Sequence, residues 1–113
     1  MEYSLEQEAG QRIVRLEGAL DVSQAIQLRN VLAEQLDGPA ARVLVDLSAV
    51  RIVDSSGVGI LVTAHRLAEK LGARIVLAGA QPAVRRVFEL TRTDRLLRIV
   101  PTLAEGSEAL DAP

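Results

Sequence analysis

The chain has 113 residues, 49% hydrophobic but only 2% aromatic, which is the length of one domain, residues 1–113, around one aliphatic core. A net charge of -2 without any run of Lys or Arg argues against nucleic-acid binding, although Arg85 to Arg98 is locally basic, and the scarcity of rings leaves little stacking surface for single strands. Cys is absent, which excludes disulfides and a thiol nucleophile and fits a reducing cytoplasm.

The acidic, polar start "MEYSLEQEAG" does not read as a signal peptide. With "QRIVRLEG" it reads as two strands around an Ala9-Gly10 turn, the second marked by Ile13, Val14 and Leu16. In "ALDVSQAIQLRNVLAEQLDGP", Ala25, Leu28, Leu32 and Leu36 recur at helical spacing until Gly38-Pro39 stops the pattern. "RVLVDLS", Arg42 to Ser48, is a continuous apolar run ending in an acid, as expected of a strand covered on both faces. A loop from Ala49 to Asp54 comes next, then a helix from Ser55 or Ser56 to Leu71, closed by Gly72. Its uncharged part, Ser55 to Ala64, is far shorter than the roughly 20 residues a membrane span needs. "ARIVLAG" is another buried strand, and "QPAVRRVFELT" a helix with Pro82 in its first turn. "LLRIVP" is a short last strand and Thr102 to Leu110 a short last helix, with the closing "DAP" expected to fray. The order β-β-α-β-α-β-α-β-α implies an α/β fold: a four- or five-stranded mixed sheet, parallel after the opening hairpin, with helices on its faces.

The stretch "VDSSGVGILV", Val53 to Val62, concentrates the chemistry. Asp and Ser are favoured at helix N-termini because their oxygens accept orphan backbone N–H groups, so Asp54, Ser55 and Ser56 read first as capping residues and Gly57 as a tight entry. On a wheel of about 100° per residue, Ile60, Leu61, Ala64, Leu67, Ala68 and Leu71 form one apolar face. Val58 falls off it, and Val62 lies nearly opposite its centre, beside Arg66 and Glu69; two exposed valines read as a contact surface. Position points the same way, since sites in open α/β sheets collect at the carboxyl ends of parallel strands, where this loop and "GALD", Gly18 to Asp21, both fall. Asp21 is either the N-cap of the first helix or a neighbour of Ser55. Asp46, ending its strand, is either a turn acceptor or a third acid at the site. A phosphate on Ser55 would sit at a helix N-terminus, where dipole and N–H groups favour an anion. It would add about -1.5 to -2 charge beside Asp21 and Asp54 with the fold intact.

Catalytic readings find no support. A nucleophile elbow needs G-x-S-x-G where the chain has V-D-S-S-G, and the single histidine, His65, sits on the helix away from the core. Gly57 and Gly59 lack the third glycine of a dinucleotide loop, a position held by Val62, and no phosphate-binding loop is present. No metal-ligand cluster is spelled out and no cofactor is expected.

"GALD", "VLVDLSAVRIVDSSGVGIL" and "ARIVLAGAQPAVRRVFELT" together resemble a STAS domain of the anti-sigma factor antagonist type, and the likeness runs from about Ser4 to Leu110. The resemblance implies a bacterial partner switch. The unphosphorylated chain would bind an anti-sigma factor and release a sigma factor. The anti-sigma factor, itself a serine kinase using ATP and Mg²⁺, would phosphorylate the serine after the motif's Asp, here Ser55, and a metal-dependent phosphatase would reverse it. Asp54 and Asp21 match the family's acidic positions, and the helix after the motif would supply the partner surface: Gly57, Val58, Val62 and Arg66. Ser56 is the alternative acceptor, with a first-turn cap as its structural role. "TRTDRLL" departs from the pattern, because many members have a glycine after the Thr, and this alters the surface at Arg92 and Arg95. A second reading is an accessory subunit of a lipid transporter or a scaffold component of a stress-signalling assembly; a third is a nucleotide-binding module. The switch requires neither nucleic-acid contact nor membrane insertion.

Overall fold

The opening hairpin turns on two residues with left-handed backbone, Ala9 (φ 51°) and Gly10 (φ 78°), which suits the tight connection that matches strand twist. The computed structural model describes all 113 residues and sets β1 (Glu2–Glu8) antiparallel to β2 (Gln11–Leu20) around this turn. A 3-10 turn (Val22–Gln24) leads into α1 (Ala25–Gln35), then β3 (Arg42–Val53), α2 (Ser55–Leu71), β4 (Arg74–Ala78) and α3 (Pro82–Leu90). A second 3-10 turn (Thr93–Arg95), β5 (Ile99–Val100) and α4 (Leu103–Asp111) complete the chain. The five strands lie in sequence order, and every pair after the hairpin is parallel. The expected element order and mixed α/β sheet are therefore present.

Strand alternation sorts the apolar residues onto two faces. Val14, Leu16, Val43, Val45, Leu47, Ile75 and Leu77 point to one side, where α1, α2 and α3 cover them in a core of 21 buried residues. Ile13, Leu44, Val76 and Ala78 point to the other, where Leu110 of α4 completes a cluster of 5. The helices use their own spacing to reach the larger core: Leu28, Val31 and Leu32 from α1, Val84 and Phe88 from α3. α2 is capped by Asp54 at its start and by Gly72 (φ 74°) at its end, and Pro82 opens α3 at its first turn.

Two stretches expected as loops are strand. Gly18–Leu20 continues β2, and Ala49–Val53 continues β3, with Gly18 opposite Val50, Ala19 opposite Ile52 and Leu20 opposite Val53. The reason is an overhang. β4 stops at Ala78, opposite Asp46, so the end of β3 has a neighbour on one side only. Ser48, Ala49, Arg51 and Ile52 are exposed, and register shifts between Arg15 and Glu17 and between Gly18 and Ala19 blur the alternation. The last strand is shorter than "LLRIVP", only Ile99–Val100. Of the closing three residues Asp111 still belongs to α4 and pairs with Arg42 at 2.8 Å, and the Arg74 guanidinium donates to the carbonyls of Leu110 (2.8 Å) and Ala112.

Candidate functional site

β2 and β3 end side by side, Leu20 against Val53, and each strand runs directly into an aspartate that caps a helical turn. Asp54 has extended backbone (φ -100°, ψ -176°). Its N–H donates to the Leu20 carbonyl (3.1 Å). Its Oδ1 accepts from the N–H groups of Ser56 (2.8 Å) and Gly57 (3.0 Å), and its Oδ2 from the N–H of Val22 (3.2 Å). One half-buried carboxylate thus starts α2 and ties the neighbouring connection to it. Asp21 caps the Val22–Gln24 turn, accepting from the N–H (3.0 Å) and hydroxyl (2.6 Å) of Ser23. The bond from the Ser23 hydroxyl holds its carboxyl below the ordinary aspartate range.

With Asp54 as cap, Ser55 is the first helical residue and is exposed, Ser56 is half-buried, and Gly57 is buried. A Cβ on Gly57 would lie 2.3 Å from the Leu20 carbonyl oxygen, so only a hydrogen fits where α2 presses on the end of β2. The sheet therefore brings together Asp21, Asp54, Ser55, Ser56 and Gly57.

Asp46 is not among them. It shares the parity of Leu44 and points to the α4 side of the sheet, whereas α2 lies on the opposite side. There it is buried, accepts from the N–H (2.9 Å) and hydroxyl (2.7 Å) of Ser48, and faces Arg15 Nε at 3.4 Å. Its part is that of a local turn acceptor. The expected contact surface also needs correction. Val58 is only 4% exposed, because the first turn of α2 leans on the end of β2 and buries a side that the wheel, drawn from the helix alone, left open. Gly57 is buried for the same reason. Val62 is half-buried against the core and Arg66 is exposed.

The apolar surface lies elsewhere. Val22, Ile26 and Ile52 are 71%, 68% and 59% exposed. Val22 follows Asp21 and bonds to Asp54, Ile26 lies one turn further on, and Ile52 precedes Val53 and Asp54. The sequence holds a trace of this: Val22 and Ile26 are four apart but off the Leu28–Leu32 stripe. Ile52 falls in the stretch expected as a loop, where no periodicity marks it.

A family model described as the STAS domain matches residues 2–106. This chain belongs to the STAS-domain family. Curated relatives to which it is similar include anti-sigma factor antagonists. The anti-sigma F factor antagonist of Lysinibacillus sphaericus is 30% identical over 80 residues, covering 70% of this STAS domain and 68% of that protein. The crystal structure of an anti-sigma factor antagonist from Mycobacterium paratuberculosis superposes with a TM-score of 0.85 at 30% identity, over 98% of this chain and 94% of that one. The Bacillus cell fate determinant SpoIIAA, solved in its phosphorylated form, shares the fold at 23% identity, with a TM-score of 0.69 over 96% of this chain and 99% of that one.

Proposed function

We propose that this STAS domain acts in the cytoplasm as the antagonist of an anti-sigma factor that is also a serine kinase, and that phosphorylation of Ser55 switches it off. The observation that carries the reading is an exposed hydroxyl at the first position of α2, with Asp54 already serving as the cap and an apolar rim alongside. Exposure favours Ser55 over Ser56, whose side chain is half-buried and whose N–H is held by Asp54.

The unmodified surface offers Val22, Ile26 and Ile52 for desolvation by a partner, with Val62 and Arg66 further along α2. Burying apolar area of this kind contributes roughly 25 cal/mol per Å². A phosphate on Ser55 adds about -1.5 to -2 charge beside Asp54 and Asp21. Asp54 already occupies the N–H groups of Ser56 and Gly57, so the phosphate projects outward from the capped end into the contact surface. There it must lose water and meet whatever faced the apolar rim, a few kcal/mol of differential binding of the size that regulatory switches use. The kinase brings the ATP, the metal and the base, and a metal-dependent phosphatase resets the switch, so this chain needs only to present the hydroxyl.

The test is to incubate the protein with its cognate kinase and ATP and map the product by mass spectrometry. One phosphate on Ser55 is expected; stoichiometric phosphate elsewhere sinks the assignment. Ser55→Ala should retain kinase binding, and Ser55→Asp should weaken it by about tenfold or more, which is about 1.4 kcal/mol.

A further inference from the structure

Between α3 and β5 the chain makes a turn that glycine would satisfy, yet it places Arg92 there at φ 59°, ψ 18°. A side chain reaches this left-handed region only at a cost, and such outliers persist where something else depends on them. Arg92 is exposed and belongs to none of the chain's arginine ion pairs, which engage Arg12, Arg15 and Arg42. Arg85 and Arg86 of α3 and Arg95 of the next turn are likewise exposed and outside those pairs. Leu90 and Leu96 stand among them at 68% and 50% exposure. A cavity of about 250 Å³ opens in the same surface, lined by Phe88, Ile99, Arg85, Glu89 and Asp94. Because β4 and β5 are parallel, α3 runs back against the strand direction, so Leu90 and Arg92 lie away from the pole that carries Ser55.

We infer that this surface docks an acidic, leucine-bearing segment of a partner protein, independently of the surface around Ser55. Charge fixes the sign of the partner: Arg85, Arg86, Arg92 and Arg95 outnumber Glu89 and Asp94 on a chain whose net charge is -2. Leu90 and Leu96 call for apolar side chains interspersed with the carboxylates, while the cavity, with Glu89 and Asp94 against Arg85 in its lining, borders the contact without receiving them. A membrane or a nucleic acid offers a uniform field of phosphates, which would oppose Glu89 and Asp94, whereas a protein segment can set its charges discretely. Nucleic acid also finds no ring to stack on, since Phe88 is buried and Tyr3 belongs to β1. Two separate surfaces let one partner remain attached while the Ser55 surface binds and releases another, which raises the effective concentration of the two partners for each other.

The probe is a short synthetic Glu-rich peptide with Leu at helical spacing, titrated against the full chain by fluorescence anisotropy. Wild type is expected to bind it. Combining Arg92→Gly with Arg95→Ala should weaken binding by about tenfold or more, as loss of two charge-assisted contacts requires. Arg92→Gly alone should melt at a temperature no lower than wild type, because it relieves the backbone while removing the cation. Replacing the peptide's Leu by Ser should weaken binding, and Ser55→Asp should leave it unchanged, which separates this surface from the switch. The inference is overturned if the peptide does not bind, if the double variant binds it equally, or if phosphatidylglycerol vesicles or duplex DNA bind more tightly than the peptide.

Discussion

Ala at Gly57 and Ala at Gly59, two residues apart on α2, should move stability in opposite directions. Gly59 is exposed and a Cβ there meets nothing within 4 Å, so Gly59→Ala gains the helix propensity that glycine lacks, about 0.5–1 kcal/mol. Gly57→Ala gains the same propensity and loses more. Its Cβ would stand 2.3 Å from the Leu20 carbonyl oxygen and 3.0 Å from both Leu20 C and Leu20 Cβ. These are main-chain atoms and a Cβ, with no rotamer to swing aside, so the first turn of α2 must retreat by roughly 1 Å to restore contact distance. Overpacking of this kind costs about 1–3 kcal/mol. The retreat also stretches the Gly57 N–H bond to Asp54, worth about 1 kcal/mol, and loosens Val58 beneath it. The balance is a loss of about 2 kcal/mol, so the two variants differ by about 3 kcal/mol. For a chain of this size that is about 10 °C off the melting temperature for Gly57→Ala and a few degrees added for Gly59→Ala. Urea unfolding followed by circular dichroism, with equal m-values required, measures both. If Gly57→Ala is as stable as wild type, or both shift the same way, the close approach of α2 to β2 is not what the site rests on.

Asp54→Ala removes the cap of α2 and the tie to Val22 together and should cost about 2 kcal/mol in urea unfolding, whereas Asp21→Ala, serving one 3-10 turn, should cost about 0.5–1 kcal/mol. Asp54→Asn should recover much of the loss, since Asn caps nearly as well. Acid should weaken the fold in a defined window. Hydrogen bonds from Ser23, Arg12 and Arg15 hold Asp21, Asp37 and Glu6 below their ordinary values of 3.8, 3.8 and 4.5. A carboxyl whose pKa is lower folded than unfolded adds stability above its unfolded value and loses it as pH falls through the folded one. The urea midpoint should therefore be level from about pH 7 to 5 and decline below about pH 4. Glu6 and Asp37 are exposed and Asp21 is only half-buried, so molar salt should flatten the decline and Arg12→Gln should remove the Asp37 share.

Much of this architecture is legible in the sequence. The Leu28–Leu32 spacing, the apolar runs of β3 and β4, Pro82 at the start of α3 and Thr102 before α4 are local signals, and local physics is enough to honour them. What escapes depends on neighbours. Ala49–Val53 reads as a loop because strand character there comes from pairing with the end of β2, while β4 has already stopped. Val58 reads as exposed because the wall that buries it belongs to another element. Asp46 is readable: counting parity from Val43, Val45 and Leu47 places it on the opposite face from α2, and the period of a strand tolerates no compromise. Gly57 is half readable. A glycine three residues after an N-cap Asp is a poor helix former, and its presence signals that something approaches closely, though not what.

β1 is exposed along its whole length and is the outermost strand of the sheet, so one row of its backbone groups has no partner. Tyr3 and Leu5 share a side with the Leu16 and Val14 they pair with, and both remain about half exposed. A strand of this kind is a template on which copies of itself can stack. Glu2, Glu6 and Glu8 occupy its other side, and laying two such edges together would crowd their carboxylates against one another. The protection is a charge and not a shape, so salt screens it. The guard rests chiefly on Glu2 and Glu8, because Arg15 already pairs with Glu6, and the molar salt that loosens the surface ion pairs weakens it too.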